Sequence, residues 1–258
     1  MTWPVIDGTS AVLFLMILAR TAAFFSVFPA FGGGTVPMRF KAGAAAALSV
    51  LLFTAVPAPA ALPTSTLEQV LLIARESLLG LTLGSLVAFV FMAAQFAGQA
   101  IGVQMGLAAA SLFDPSSGET VGVNGRFYHL LALLLFVSLD LHHGFLRGFG
   151  RSFTLLPLGE PGLAAAGFLR WAELSGKVFT LALRLSLPVI AALLLLDLAL
   201  GFLSRLVPQM NIFLVGFPLK IGLGLAVLAV GVHTAGPLLL RALDGLLVDF
   251  HSLMTWMR

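Results

Sequence analysis

The sequence predicts an all-α, polytopic membrane protein of about six apolar helical segments, some of them kinked or broken. Three observations predict it. Of 258 residues, 59% are hydrophobic and only 10% charged, where a soluble domain carries about 25% charged residues. Mean hydropathy is +1.06. Several apolar runs reach the roughly 20 residues that cross a hydrocarbon core at ~1.5 Å per residue. Runs such as Ala42–Phe53 are continuous, without the two-residue alternation of a membrane β-strand.

Reading apolar runs between polar breaks places the segments at Ala11–Phe31, Phe40–Val56, Val70–Leu112, Phe127–Phe149, Trp171–Leu206 and Asn211–Leu240. Before the first, MTWPVIDGTS carries an acid and no base. It is unlike the basic start of a cleaved signal peptide, so the first span is expected in the mature chain. The second segment ends at the Pro-rich break PAPAALPTSTLE, where Ser65 or Thr66 suits an N-cap and Glu68 the first helical turn.

The third segment is too long for one perpendicular span, which requires tilt, a break or extension beyond the bilayer. Gly98, Gly102 and Gly106, continued by Ala94 and Ala110, form one smooth stripe. Beside it stand Gln95, Gln99 and Gln104. An amide without a partner in hydrocarbon costs several kcal/mol, so this helix is expected to pack against protein, within the chain or in a neighbouring subunit. Residues 111–127, SLFDPSSGETVGVNGRF, are rich in turn dipeptides and predict a loop. It reads either as a solvated connector or as a pliable apolar flap built on Leu112, Phe113 and Val121.

The fourth segment contains LDLHHGF. Adjacent histidines on a helix diverge by about 100° and no HExxH run exists, so no metal site is expected at Asp140, His142 and His143. On the fifth, Lys177 and Arg184 share a face, while Asp197 is too distant to pair with either on that helix. In the sixth region, LVPQMNIFLVGFPLKIGLGL, Pro208 and Pro218 each free a carbonyl, so the backbone between them is expected to bend or unwind. Gln209 and Asn211 would serve the freed groups. Irregular backbone at membrane depth requires burial in protein or contact with water, which makes Pro208, Gln209, Asn211, Pro218 and Lys220 candidates for an interface or conduit.

Arg20, Arg75, Glu76, Asp140, Lys177, Arg184, Asp197 and Lys220 lie within or beside apolar runs. A charge at a helix centre costs about 2.5–3.5 kcal/mol on insertion scales, so each needs a partner, water or a snorkelling route. A secondary transporter using Asp197 and the broken helix is the alternative reading of these charges. Internal symmetry of the kind such transporters show is not found. The chain has no cysteine, which excludes disulfides and thiolate chemistry. No nucleophile elbow, Walker loop or dinucleotide fingerprint occurs, so neither catalysis nor a cofactor is expected. Fourteen Lys+Arg against 11 Asp+Glu, without a basic block, give no nucleic-acid signal. Their distribution sets only a feeble orientation bias.

Four blocks carry a resemblance that covers nearly the whole chain. They are RTAAFFSVFPAFGGGTVPMRFKAGAAAAL with Arg20, Pro29, Pro37 and Lys41; Phe113-Asp114-Pro115; LDLHHGFLRGFGRSFTLLPLG; and, most specific, VPQMNIFLVGFPLKIGLGL. With them the chain resembles the FliR family, the R subunit of the type III secretion export gate, and its SctT-type injectisome counterpart. One departure is Asp140-Leu141-His142, where the family commonly has Asn-Gly-His.

The resemblance implies a non-catalytic membrane subunit that joins FliP-type and FliQ-type subunits in a channel for unfolded exported proteins, with an FlhB-type switch protein at its base. It implies a P-like part over residues 1–158, a Q-like helical hairpin over 171–240 and a C-terminal tail over 241–258. It places the chain in the flagellar basal body at the bacterial inner membrane, held partly above the membrane plane. It assigns a pore plug to Leu112, Phe113, Asp114, Pro115, Gly118 and Gly122.

Overall fold

A computed structural model describes residues 8–29, 37–57, 59, 63, 65–107, 122–159, 164–209 and 211–258. These are all-helical: α1 (Gly8–Val27), α2 (Met38–Ala55), α3 (Thr66–Gln104), α4 (Val123–Ser138), α5 (Leu141–Leu155), α6 (Ala165–Leu206) and α7 (Ile212–Met257). Five are long and apolar enough to cross a membrane, or six if α4 and α5 form one broken span. The most apolar stretch of α3 is 61% buried, against 28% for α6 and 22% for α7. Hence α3 is the most enclosed of these three helices.

Helix ends follow local chemistry. Ser65 accepts the first α3 bond through its carbonyl, from Gln69 N–H at 3.1 Å, and Glu68 occupies the first turn as expected. At the other end Gly106 takes φ +81°. Its N–H bonds Val103 O at 3.0 Å, and Leu107 N–H bonds Gly102 O at 3.0 Å. This is a Schellman stop, in which a left-handed glycine satisfies the last carbonyls. It halts α3 at Gln104, short of the Leu112 expected from hydropathy.

The expected Phe127–Phe149 helix is likewise two helices. Asp140 sits left-handed at φ 53° between α4 and α5, a conformation open to Asp and Asn because a short polar side chain can bond locally. Asn, the residue that the resemblance puts here, is equally suited. Residues 241–258, expected as a tail, continue α7 to Met257 with Phe250, Leu253, Met254 and Met257 buried.

The chain forms two compact units: Met1–Phe89, Leu139–Gly176 and Asp244–Arg258 make the first, and Val90–Ser138 with Lys177–Leu243 the second. In the first, α1 lies against α3 at Gly80 and Gly84. A Cβ on Gly80 would collide with the Arg20 carbonyl, and one on Gly84 would stand 2.7 Å from Phe24 O. This second small-xxx-small pair brings two backbones together as in other membrane helix pairs.

Beneath it, Arg20 is completely buried. Its Nε and Nη2 both reach Glu76 Oε2 at 2.5 Å. Nη1 donates to Leu156 O at 3.0 Å and Ser152 O at 3.3 Å, and Nη2 to Leu156 O at 3.1 Å. The guanidinium also lies 4.4 Å from the Phe153 ring centroid. One side chain thereby neutralises a buried carboxylate and caps the C-terminal carbonyls of α5, where a cation is favoured by the helix dipole.

Around this centre α5 buries Leu141, Phe145, Phe149 and Phe153, spaced every four residues, and turns Arg147 and Arg151 outward. Phe149 stacks on Phe24 at 4.4 Å, and Phe145 meets Phe250 edge-on at 5.3 Å. Gly167 allows the start of α6 to abut Met257, whose Cγ lies 2.5 Å from a Cβ built there.

Glu76→Gln leaves the Arg20 charge buried with a neutral partner, and removing one member of a buried pair costs about 3–5 kcal/mol. Thermal unfolding of the detergent-solubilised chain should show a large drop in Tm, partly restored in Arg20→Met/Glu76→Gln. An unchanged single variant would contradict the pairing.

Candidate functional site

Three of the polar residues singled out in the sequence, Gln104, Asp197 and Lys220, converge in the second unit, where the end of α3 meets α6 and α7 and also packs on α4. Gly98 faces α4 so closely that a Cβ would collide with the Asn124 carbonyl oxygen and stand 2.6 Å from Gly125 N. Gly102 faces the same residue more loosely, 3.8 Å from Asn124 Nδ2. Gly106 does not extend the stripe, because the helix has already ended there. It admits the ring of Phe217, whose Cε1 lies 2.6 Å from a built Cβ. Gly224 on α7 makes room for Met105 in the same way, at 2.8 Å from its Cγ.

Buried Asn124 donates from Nδ2 to Met105 Sδ at 3.2 Å. Neither residue stood out in the sequence as part of a site. The Asn-Gly dipeptide read as a turn signal and is instead the first turn of α4. Gln95 is half-buried and Gln99 exposed. Gln104 donates through Nε2 to Asp197 Oδ2 at 3.0 Å. The other oxygen of that carboxylate, Oδ1, lies 2.6 Å from Lys220 Nζ.

Two charges in adjoining apolar helices are therefore mutually neutralised, with an amide from a third helix completing the set. The Asp197–Lys220 pair answers the intrahelical question left by Lys177 and Arg184. Proline effects are more confined than expected. Helix α6 stops at Leu206 and α7 starts at Ile212, with Pro208, Gln209 and Asn211 exposed in the break. Pro218 lies inside α7, and the unwound stretch does not extend to it. A proline near a helix start can be accommodated by local adjustment of the freed carbonyl.

The plug residues Leu112, Phe113, Asp114, Pro115 and Gly118 lie outside the described residues. Gly122 is exposed, with open space where its Cβ would be. His142 and His143 were expected to diverge, yet one ligand atom from each and from Asp140 lies within 4.8 Å of the others, and the imidazole centroids are 4.1 Å apart. The left-handed Asp140 brings the carboxylate back toward His143. These groups stand at the first turn of α5, whose positive dipole end opposes a bound cation.

This arrangement sits on a chain whose residues 11–246 match the family model described as bacterial export proteins, family 1. The chain belongs to the FliR family. It is 35% identical over 238 residues to the flagellar biosynthetic protein FliR of Pectobacterium carotovorum subsp. carotovorum, covering 92% of this chain and 87% of the relative. It is 36% identical over 220 residues to FliR of Bacillus subtilis strain 168, with 84% and 85% covered. Identity to FliR of Escherichia coli K12 is 35% over 217 residues, with 84% and 83% covered. FliR-family membership and the five or six apolar spans together make this a membrane protein of the flagellar export apparatus.

Gly98→Ala should force α3 and α4 apart and destabilise by about 1–3 kcal/mol, the usual penalty of overpacking. Gly102→Ala should be nearly neutral. Comparing the two Tm values in one detergent checks the close approach, and equal values would contradict it.

Proposed function

We propose that the chain is a non-catalytic structural subunit of the flagellar export gate in the bacterial inner membrane. It assembles with FliP-type and FliQ-type subunits into the conduit for unfolded exported proteins, with an FlhB-type switch protein associated. The observation that carries this reading is the family match over residues 11–246, which spans nearly the whole chain. Two long helices joined at an exposed polar break support a Q-like hairpin at 171–240, following the P-like part at 1–158.

In this reading Gly98, Gly102, Gln95 and Gln99 shape the packing of α3 toward its neighbours. Pro208, Gln209 and Asn211 shape the subunit-facing break, with Pro218 and Lys220 on the helix that follows it. Leu112, Phe113, Asp114, Pro115, Gly118 and Gly122 close the resting pore. The transporter alternative needs an Asp197 carboxylate that exchanges protons or ions. Its engagement by Lys220 and Gln104 favours a structural role.

Affinity purification of the tagged full-length chain from cells should recover both FliP-type and FliQ-type subunits. Purified gate lacking residues 111–122 should conduct small ions at least tenfold more than the intact gate in planar bilayers. Failure to recover either subunit, together with uptake by the isolated chain that is lost in Asp197→Asn, would replace the gate with a transporter. Unchanged conductance would remove the plug assignment alone.

A further inference from the structure

In the first unit, the two faces of α5 differ in chemistry. Its aromatic face is spent inside the chain, with Phe149 stacked on Phe24 and Phe145 set edge-on to Phe250. The outer face carries His143, Arg147, Gly150, Arg151 and Thr154, spaced three and four residues apart along one side of the helix. All but the half-buried Gly150 are exposed. Arg147 and Arg151 form no ion pair among the described residues, whereas His143 faces the Asp140 carboxylate at 3.6 Å.

Acyl chains are a poor cover for this face. An arginine in hydrocarbon is costly unless it meets a partner or water, and here two stand one turn apart. A helix that lies on a headgroup layer sinks its apolar side into lipid, but that side of α5 is occupied by Phe24 and Phe250. Anionic membrane surfaces are recognised by clusters of about four to eight cations, and this face offers two arginines and one histidine.

Gly150 provides a second, independent observation. Helix α5 contains three glycines. A Cβ at Gly144 would stand 3.2 Å from Leu247, and one at Gly148 would stand 3.0 Å from Phe250 Cε1, so both make room for α7. A Cβ at Gly150 would meet nothing within 4 Å. Glycine weakens a helix interior, and packing among the described residues does not call for it here. It leaves a notch between Arg147, Arg151 and Thr154. Elsewhere in the chain, at Gly80 and Gly98, such a notch is filled by the backbone of another helix.

We propose that the outer face of α5 receives a carboxylate-bearing helix of another gate subunit, an inference that rests on the gate function proposed above. The notch lets the incoming backbone approach closely enough for both guanidinium groups to grip its carboxylates. Such pairs form two parallel N–H···O bonds, which fix geometry as well as charge. A face left to water would keep the two cations but would draw no benefit from the missing side chain. Asp140 already engages His143, so the two arginines are the charges left for the partner to neutralise.

Contact is tested by placing a benzophenone amino acid at Thr154 of the full-length chain, co-expressed in cells with FliP-type and FliQ-type subunits. Illumination should give an adduct whose mass spectrum identifies one of those two subunits. Adducts with phospholipid alone, with an exported protein alone, or none at all, in a preparation from which the subunits co-purify, would overturn the proposal and leave the gate reading intact. Recovery of neither subunit with the wild-type chain would end the gate reading, and this proposal with it.

Two variants separate docking from folding. Gly150→Leu fills the notch, and Arg147→Gln/Arg151→Gln removes the charges. Each should reduce the co-purified subunits at least fivefold, while the Tm of either variant purified alone in detergent does not fall. Wild-type recovery in both variants, or losses that track a fall in Tm in both, would overturn the assignment.

Discussion

Arg20 carries a full positive charge with no exposed surface, and the first unit is arranged around meeting its demands. Burying a guanidinium costs several kcal/mol even after relaxation, and the cost is offset only when the ion is paired and its remaining protons are bonded. Glu76 supplies the countercharge, the end of α5 supplies two carbonyls, and Phe153 supplies an aromatic face. These contributions come from two stretches of chain far from Arg20 in sequence, so α1, α3 and α5 are mutually constrained. The same atoms fulfil the backbone accounting of α5, whose last carbonyls would otherwise lack donors.

Close approach of backbones is the second recurring device, and it appears in both units. Gly80 and Gly84 admit α1, whereas Gly98 admits the first turn of α4. In a membrane, where burial of apolar surface from water cannot drive helices together, such van der Waals contact is a main source of association. The larger residues then fill the outer spaces, as Phe24, Phe28 and Phe149 do around Arg20. Polar side chains within this packing are paired with one another, as with Gln104, Asp197 and Lys220.

Hydropathy made the class, the first two helices and the α6–α7 break legible. It failed where a single backbone conformation decided the outcome. Gly106 reads as the third member of a packing stripe, yet its positive φ ends α3. Asp140 gives little turn signal within its apolar surroundings, and it separates α4 from α5 by adopting a conformation rare for any residue with a side chain. Pro218 looks like a breaker but lies near enough to a helix start to be absorbed.

Pairing of charges was beyond the sequence for a different reason. Glu76 lies 56 residues from Arg20, and Lys220 lies 23 from Asp197 (220 − 197), so only the tertiary arrangement selects these pairs from the eight candidates. Gly80 and Gly84 carried the same small-xxx-small spacing as Gly98 and Gly102, and that signal was available. The glutamines beside the later pair drew attention to it instead.

The order in which the Arg20 partners are synthesised adds a temporal constraint. Glu76 follows Arg20 by 56 residues and Leu156 by 136, and chains elongate at about 5–20 residues per second. For seconds, therefore, α1 exists as a newly made span with a bare guanidinium and no carboxylate. During that interval its retention in a bilayer is opposed by about 2.5–3.5 kcal/mol. Helix α1, made well before α3 and α5, is thus settled only after they follow, and biogenesis must shelter it until the third helix arrives.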